Sequence, residues 1–269
     1  MKQGRILIVD DAETWRTEIA ETLRRKGYLV ECASTIEQAL GLLDTALFHL
    51  AILDICLQDN SNPNNTDGLE ILQELKKRKC SEAIKVIMLS GHDTKEHLRK
   101  TFKDYSVVDF LSKGEFNKKI LLGEVREAFA AKVNINLGLD IRWQKASSAE
   151  DAVLNLEING TRVARGTALH SLIALELEDL LCRLFYGAES IIVHPIIPGL
   201  SATGVLAIQP FYPQIGAKGT VVVKFGNLHK IDRESMNFKK YIEHTVGGGR
   251  IRYYHNGRSS PCLGSSTCD

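Results

Sequence analysis

Apolar residues in the first half of the chain fall into short runs that alternate with stretches of helical spacing. Arg5-Ile6-Leu7-Ile8-Val9 is the first run and ends at Asp10-Asp11; Ala12 to Lys26 then places Trp15, Ile19 and Leu23 on one helical face and stops at Gly27. Tyr28 to Cys32 reads as a second strand, and Ser34 as the cap of a helix carrying Ile36, Ala39, Leu40 and Leu43. The most continuous run, Leu50-Ala51-Ile52-Leu53-Asp54-Ile55-Cys56-Leu57, is broken by a single carboxylate. A polar loop, Gln58 to Thr66, leads through Asp67-Gly68 into a helix with Leu69, Leu72 and Leu75. Ile84 to Leu89 is a fourth strand ending at Ser90-Gly91, about Thr94 to Phe102 a helix, Val107 to Leu111 a fifth strand ending at Ser112-Lys113-Gly114, and Glu115 to Ala131 a last amphipathic helix. Five strand–helix alternations predict an α/β fold, a five-stranded, doubly wound parallel sheet with helices on both faces.

Runs this apolar belong to strands buried on both faces, where an ionised carboxylate without partners costs several kcal/mol, roughly. Asp54 is therefore expected at the carboxyl end of its strand, the edge on which open α/β sheets bind ligands. Asp10, Asp11, Ser90 and Lys113 end other strands of the same sheet and so share that edge. Three converging carboxylates repel one another unless a hard divalent cation such as Mg²⁺ sits among them. An ammonium and a hydroxyl beside them can hold the oxygens of a group attached to Asp54, the requirements of a phosphoryl-transfer site. Taken singly, Asp10, Asp11 or Asp67 is an ordinary cap or turn residue; their joint placement on one rim carries the reading.

The ordered set Asp10-Asp11, Ile52-Leu53-Asp54, Asp67-Gly68, Ser90-Gly91 and Phe110-Leu111-Ser112-Lys113-Gly114 resembles the receiver domain of two-component response regulators over about residues 4–131. The resemblance implies that Asp54 accepts a phosphoryl group from a phosphohistidine on a partner kinase. It further implies that Asp10, Asp11, Asp54 and the backbone carbonyl of Cys56 hold Mg²⁺, that Ser90 and Lys113 sense the phosphate, and that Phe110 is the aromatic that reorients with it. Two departures stand out. The loop between Asp54 and Asp67-Gly68 is longer than usual and rich in Asn, Ser and Pro, and Phe110 stands where Tyr is more frequent.

The length of 269 residues predicts two domains, here 1–131 and 132–256, followed by a Gly/Ser-rich tail at 257–269 expected to be disordered. In the second half, Lys132 to Gln144 alternates as a strand does, Ala146 to Leu156 reads as a short helix, and Thr167 to Tyr186 as the longest amphipathic helix. A strand at Ser190 to His194, the glycine-bearing Pro198 to Leu206, the strand Gly219 to Gly226 and a helix from near Ile231 complete an α+β module. Its order resembles the small lobe of kinase-like folds over about 190–256, with Gly199 and Gly204 in a degenerate glycine loop, Lys224 as the strand lysine and Glu234 as its helix partner. With the preceding helix, the segment also resembles the ternary-complex-associated domains of some bacterial signalling proteins. No catalytic-loop or metal-binding kinase motif follows, so an active kinase is not expected; Lys224 and Glu234 are read first as a structural or solvated pair, and a truncated product as one way to explain the missing lobe.

Charge and composition narrow the field further. Hydrophobic residues make up 44% and charged residues 25%, with a net charge of +1, ordinary for a soluble protein and offering no basic block for a polyanion. No apolar run approaches a membrane span, the N-terminus has no signal-peptide pattern, and six cysteines without a CxxC pair fit a reducing cytoplasm. The expected protein is a phosphorylation-switched regulator partnered by a sensor histidine kinase or phosphotransfer protein and by an output protein, possible as a homodimer, and not an enzyme beyond its own dephosphorylation. The alternatives are a nucleotide-binding or kinase-like module under receiver control and a DNA-binding transcriptional regulator; the absence of a helix-turn-helix pattern after residue 131 speaks against the last.

Overall fold

The computed structural model describes residues 3–57, 68–77, 83–91, 105, 107–144, 147–158, 160–196, 203–241, 252–255 and 263–268, with the last two stretches and Ser90, Leu228, Ser235, Phe238, Lys239 and Tyr241 as backbone only. The chain divides into two compact units, one of Met1–Asn134 and one of Ile135–Asn256 joined by the C-terminal strand.

In the first unit, β1 (Arg5–Val9), β2 (Leu29–Ala33), β3 (Leu50–Asp54), β4 (Lys85–Ser90) and β5 (Val107–Ser112) form a sheet of order β2-β1-β3-β4-β5, every pairing parallel. The described helices are α1 (Glu13–Arg24), α2 (Ile36–Thr45), α3 (Gly68–Lys77) and α4 (Lys118–Ala131). The expected helix at 94–102 lies outside the described residues, as does the polar loop before α3. Strand residues alternate between two cores, as a period of two requires. Ile6, Ile8, Leu50, Ile52, Ile87 and Leu89 pack with Ile19 and Leu23 of α1 and Leu121 and Val125 of α4. Leu7, Val9, Ala51, Leu53, Val86 and Met88 pack with Leu43 of α2 and Ile71, Leu72 and Leu75 of α3. The doubly wound sheet expected from the alternation is thus what forms. One local expectation changes: Thr35, not Ser34, caps α2, its hydroxyl accepting from the Gln38 amide at 3.2 Å, while the Ser34 hydroxyl and amide both donate to Gln38 Oε1 at 2.9 Å.

The second unit holds β6 (Asp140–Trp143), α5 (Ala149–Ala152), β7 (Glu157–Ile158), β8 (Thr161–Arg162), α6 (Ala168–Leu184), β9 (Ser190–Ile196), β10 (Gly204–Tyr212), β11 (Gly216–Ala217), β12 (Val221–Asn227), α7 (Leu228–Tyr241), β13 (Arg252–His255) and β14 (Leu263–Cys268). Its main sheet runs β13-β14-β12-β10-β9-β6, antiparallel apart from β6 beside β9. Ile173, Leu177, Leu180 and Leu181 of α6 are fully buried, together with Val193, Ile208, Val223 and Phe225 of the sheet.

Two expectations are corrected here. The alternating segment 132–144 forms a strand only at Asp140–Trp143; before it, Val133 closes the end of α4 by donating to the Ala128 carbonyl at 2.9 Å, and Asn134 turns the chain at φ 52°. The tail at 257–269, expected to be disordered from its Gly/Ser content, contains β14, which pairs with β12 from Val222↔Cys268 to Asn227↔Leu263. Small residues lower local propensity, but a backbone ladder asks only for free N–H and C=O groups along a neighbouring edge.

Candidate functional site

The carboxyl ends of β1, β3 and β5 build the site, and sheet order dictates which groups meet. Because β3 lies between β1 and β4, Asp54 ends the central strand and the Asp10-Asp11 turn lies directly beside it. Asp54 is 1% exposed and Asp10 fully buried. Lys113, in the 3-10 turn Lys113–Glu115 that follows β5, places its Nζ 2.7 Å from Asp54 Oδ2 and 2.8 Å from Asp10 Oδ2. One ammonium thereby bridges carboxylates of two strands, and its charge is held above the ordinary lysine pKa by both, against the opposing pull of burial. Burial dominates at Asp54 and pushes its carboxyl up to about 6, although the Lys113 contact works in the other direction. The backbone amide of Cys56 donates to Asp54 Oδ1 at 3.4 Å, and Asp10 Oδ1 accepts from the Ala12 amide at 2.9 Å.

Oxygen atoms of Asp10, Asp11 and Asp54 all lie within 4.8 Å of one another. Asp11 Oδ1 is buried without a hydrogen-bond partner among the described residues. An orphaned, buried carboxylate oxygen is costly in a protein interior, and three hard oxygen donors at this spacing suit Mg²⁺. The donor set therefore fits the cation that the sequence implies.

The remaining predicted residues divide. Ser90 ends β4, one strand from Asp54, with its backbone in register opposite Ser112; its side chain is outside the described set. Phe110, half-buried, packs against the α2/α3 core and lines a cavity of ≈ 240 Å³ with Asp109, Glu115, Phe116, Ile120 and Glu124. There a hydrogen bond to the Asp109 carboxylate, together with partial burial, pushes Glu124 up to about 7. In the second unit, Lys224 on β12 and Glu234 on α7 form an ion pair of 2.6 Å. Gly199 lies outside the described residues. Gly204 begins β10, and a Cβ there would stand 2.2 Å from the buried ring of Phe225, so its missing side chain is space already taken by the core.

Three contributors were not legible as such in the sequence. Trp15 reads in the sequence only as an apolar helix position, yet its ring lies 5.6 Å from Lys113 Nζ and meets Phe116 edge-on at 4.9 Å, tying α1 to the turn that carries the lysine. Arg16 Nη1 donates to the carbonyls of both Asp10 and Asp11 at 2.7 Å. Gly68 admits α3 against β3, for a Cβ on it would stand 2.0 Å from the Asp54 carbonyl oxygen. An arginine one helical turn beyond an acidic pair is the only one of these signals that spacing could have raised.

Comparison with known proteins places this geometry. The family described as response regulator receiver domain matches residues 6–126. A putative response regulator, NtrX-like, of Rickettsia conorii is 34% identical over 140 residues, covering 51% of this chain and 28% of that protein. The alginate biosynthesis transcriptional regulatory protein AlgB of Pseudomonas aeruginosa is 33% identical over 91 residues, 34% of this chain and 18% of that one. Among solved structures, a CheY-like receiver domain protein of Methanospirillum hungatei is 28% identical, with a TM-score of 0.41, covering 48% of this chain and 96% of its own. The matched segment spans about a quarter of the length of the NtrX-like relatives. Transcriptional regulators stand among these relatives, so they lend no support to the expectation that nucleic acid is not a partner. No helix among the described residues is long and apolar enough to cross a membrane. Fold, acidic rim and family match agree: residues 6–126 of this chain are a response regulator receiver domain, a module of two-component signalling.

Proposed function

We propose that the chain is a phosphorylation-switched regulator in which Asp54 accepts a phosphoryl group and the resulting change in the receiver domain alters the partner or placement of the C-terminal unit. The observation that carries this reading is the buried Asp54 carboxylate, in contact with Lys113 and within 4.8 Å of the oxygens of Asp10 and Asp11. In the proposed step an ionised Asp54 oxygen attacks phosphorus in line, and the bond from phosphorus to the donor, a histidine nitrogen of a sensor kinase or phosphotransfer protein, breaks. Asp10, Asp11, Asp54 and the Cys56 carbonyl would hold Mg²⁺. Bound there, the cation supplies compensation for three carboxylates and for charge gathering on the transferred oxygens. Lys113 donates to a phosphoryl oxygen from the position it already occupies, and Ser90 donates a second hydrogen bond. Phe110 moves with that rearrangement, a population shift between two packings. In this reading the protein is cytoplasmic, works as a regulator and not as a turnover enzyme, and acts through an output protein, with a homodimer as one possible assembly.

Acetyl phosphate supplies the test. With Mg²⁺ the full chain is expected to incorporate one hydroxylamine-labile phosphoryl group on Asp54, and chelation by EDTA to suppress it by about 100-fold or more. Labelling that survives EDTA, or that maps to another residue, overturns the reading.

The 2.6 Å contact of Lys224 with Glu234 favours a second reading, in which the C-terminal unit binds a nucleotide. Gly204 argues against it, because its open space holds Phe225 and not a phosphate. The pair is therefore assigned a structural role, and Lys224→Met is expected to change stability by less than about 1 kcal/mol, as for other half-exposed pairs. Millimolar ATP is expected to leave the melting temperature unchanged; a rise that the substitution abolishes would reinstate nucleotide binding.

A further inference from the structure

The acidic turn between β1 and α1 is held very unevenly. Asp10 is fixed four times over: its amide donates to the Ala33 carbonyl at 3.2 Å, its Oδ1 accepts from the Ala12 amide, its Oδ2 meets Lys113 Nζ at 2.8 Å, and its carbonyl accepts from Arg16. Asp11 is held among the described residues by one hydrogen bond, from Arg16 Nη1 to its carbonyl at 2.7 Å. Its Oδ1 meanwhile is buried with no hydrogen-bond partner among the described residues. The guanidinium reaches both carbonyls through the two N–H groups of a single nitrogen, so the consecutive peptide planes must present their oxygens to the same point. Arg16 is itself anchored, its amide donating to the Ala12 carbonyl as α1 begins.

We propose that Arg16 is a positioning residue for the cation site: by drawing both carbonyls of the acidic turn to one nitrogen, it leaves the Asp10 and Asp11 carboxylates turned together towards Asp54. This deepens the Mg²⁺ reading given above and rests on it. Arg16 acts through the backbone. Tether and charge make opposite demands on the outcome. Removing a nearby positive charge would by itself strengthen binding of a cation, whereas freeing Asp11 would weaken it. A second-sphere group of this kind typically governs metal affinity by about 10–100-fold.

The experiment is a calorimetric titration of the full chain with MgCl₂, no phosphoryl donor present, for the wild type, Arg16→Met and Arg16→Lys, with circular dichroism of each in EDTA to verify the fold. The Met variant is expected to raise the Kd for Mg²⁺ by about tenfold, and the Lys variant, which keeps the charge and part of the donor set, to fall between. The rise in melting temperature on adding Mg²⁺ should shrink in the same order, since that rise follows the Kd. An unchanged or tighter Kd in Arg16→Met overturns the positioning role and leaves the Mg²⁺ reading standing. A wild type that binds no Mg²⁺ sinks both. Should the Met variant not fold, the Lys variant decides alone: an affinity equal to that of the wild type overturns the proposal, and a weaker one supports it.

Discussion

Asp54→Asn is expected to abolish acetyl phosphate labelling and, at neutral pH in the absence of divalent cation, to make the protein more stable by about 1–3 kcal/mol. The two outcomes have one cause. Folding places the Asp54 carboxyl where it is 1% exposed, and its pKa rises from the ordinary 3.8 to about 6. Each unit of that displacement corresponds to about 1.4 kcal/mol, so holding Asp54 ionised costs roughly 3 kcal/mol at pH 7, part of which Asn gives back through the lost Lys113 contact. Between these two pKa values the folded protein binds more protons than the unfolded chain. The contribution of Asp54 to stability is therefore greatest below about pH 4 and falls as the pH rises to about 6. Lys113 titrates from the opposite direction: its raised pKa gives a contribution that is complete below the ordinary lysine value and lost only above it, so it stays constant across the neutral range. Urea unfolding at pH 4, 5, 6 and 7 in EDTA checks the argument. The advantage of the Asn variant should appear as the pH climbs and level off near 7, and a variant less stable than wild type at pH 7 would refute it. On the proposed function, the same desolvation that costs stability would leave the ionised Asp54 oxygen a strong acceptor.

Gly68→Ala is expected to slow labelling of Asp54 by about 100-fold and to cost about 1–3 kcal/mol, from the addition of a single methyl group. The amide of Gly68 donates to the Ile55 carbonyl at 3.1 Å, which clamps the first residue of α3 onto the segment that follows Asp54. A methyl on Gly68 would stand 2.0 Å from the Asp54 carbonyl oxygen and 3.1 Å from Ile55 Cα, both backbone atoms. Backbone cannot rotate out of the way as a side-chain tip can. Either the helix retreats by on the order of 1 Å, loosening Ile71 and Leu72 from the core, or Asp54 moves away from Lys113. Stopped-flow labelling together with thermal unfolding separates the effects from a general loss of fold. Wild-type kinetics in a folded Gly68→Ala protein would show that the close approach has no part in placing Asp54. Gly27, at φ +87° with open space around it, is the contrasting case: there glycine answers a backbone requirement, whereas at Gly68 it answers a steric one.

Much of the receiver domain was legible because its signals are local and periodic. Strand runs this apolar require cover on both faces, above all Ile6–Val9 and Leu50–Leu53, and five strands alternating with helices leave a parallel sheet as the arrangement. Parallel strands all end on one edge, so Asp10, Asp11, Asp54 and Lys113 could be placed on a common rim before any distance was known. The second unit was less legible, and for a physical reason visible at three points. Gly204 carried the look of a phosphate loop, but its missing Cβ makes room for Phe225, twenty-one residues further on. The alternation in 132–144 marked buried positions correctly at Val133, Ile135 and Leu139 without a strand to carry them. The Gly/Ser-rich C-terminus joins a sheet because β12 offers it an edge.

By itself, the sequence determined the class of the first domain, the order of its elements and the identity of the residues at its rim, since periodicity and burial act along the chain. Tertiary structure alone decided how those residues are held: that Lys113 bridges Asp10 and Asp54, that Arg16 gathers the carbonyls of the acidic turn, and that Gly68 is a glycine for want of space. Those are contacts between groups distant in the chain or between a side chain and a backbone oxygen, and no pattern of hydrophobic and polar positions encodes a distance between them.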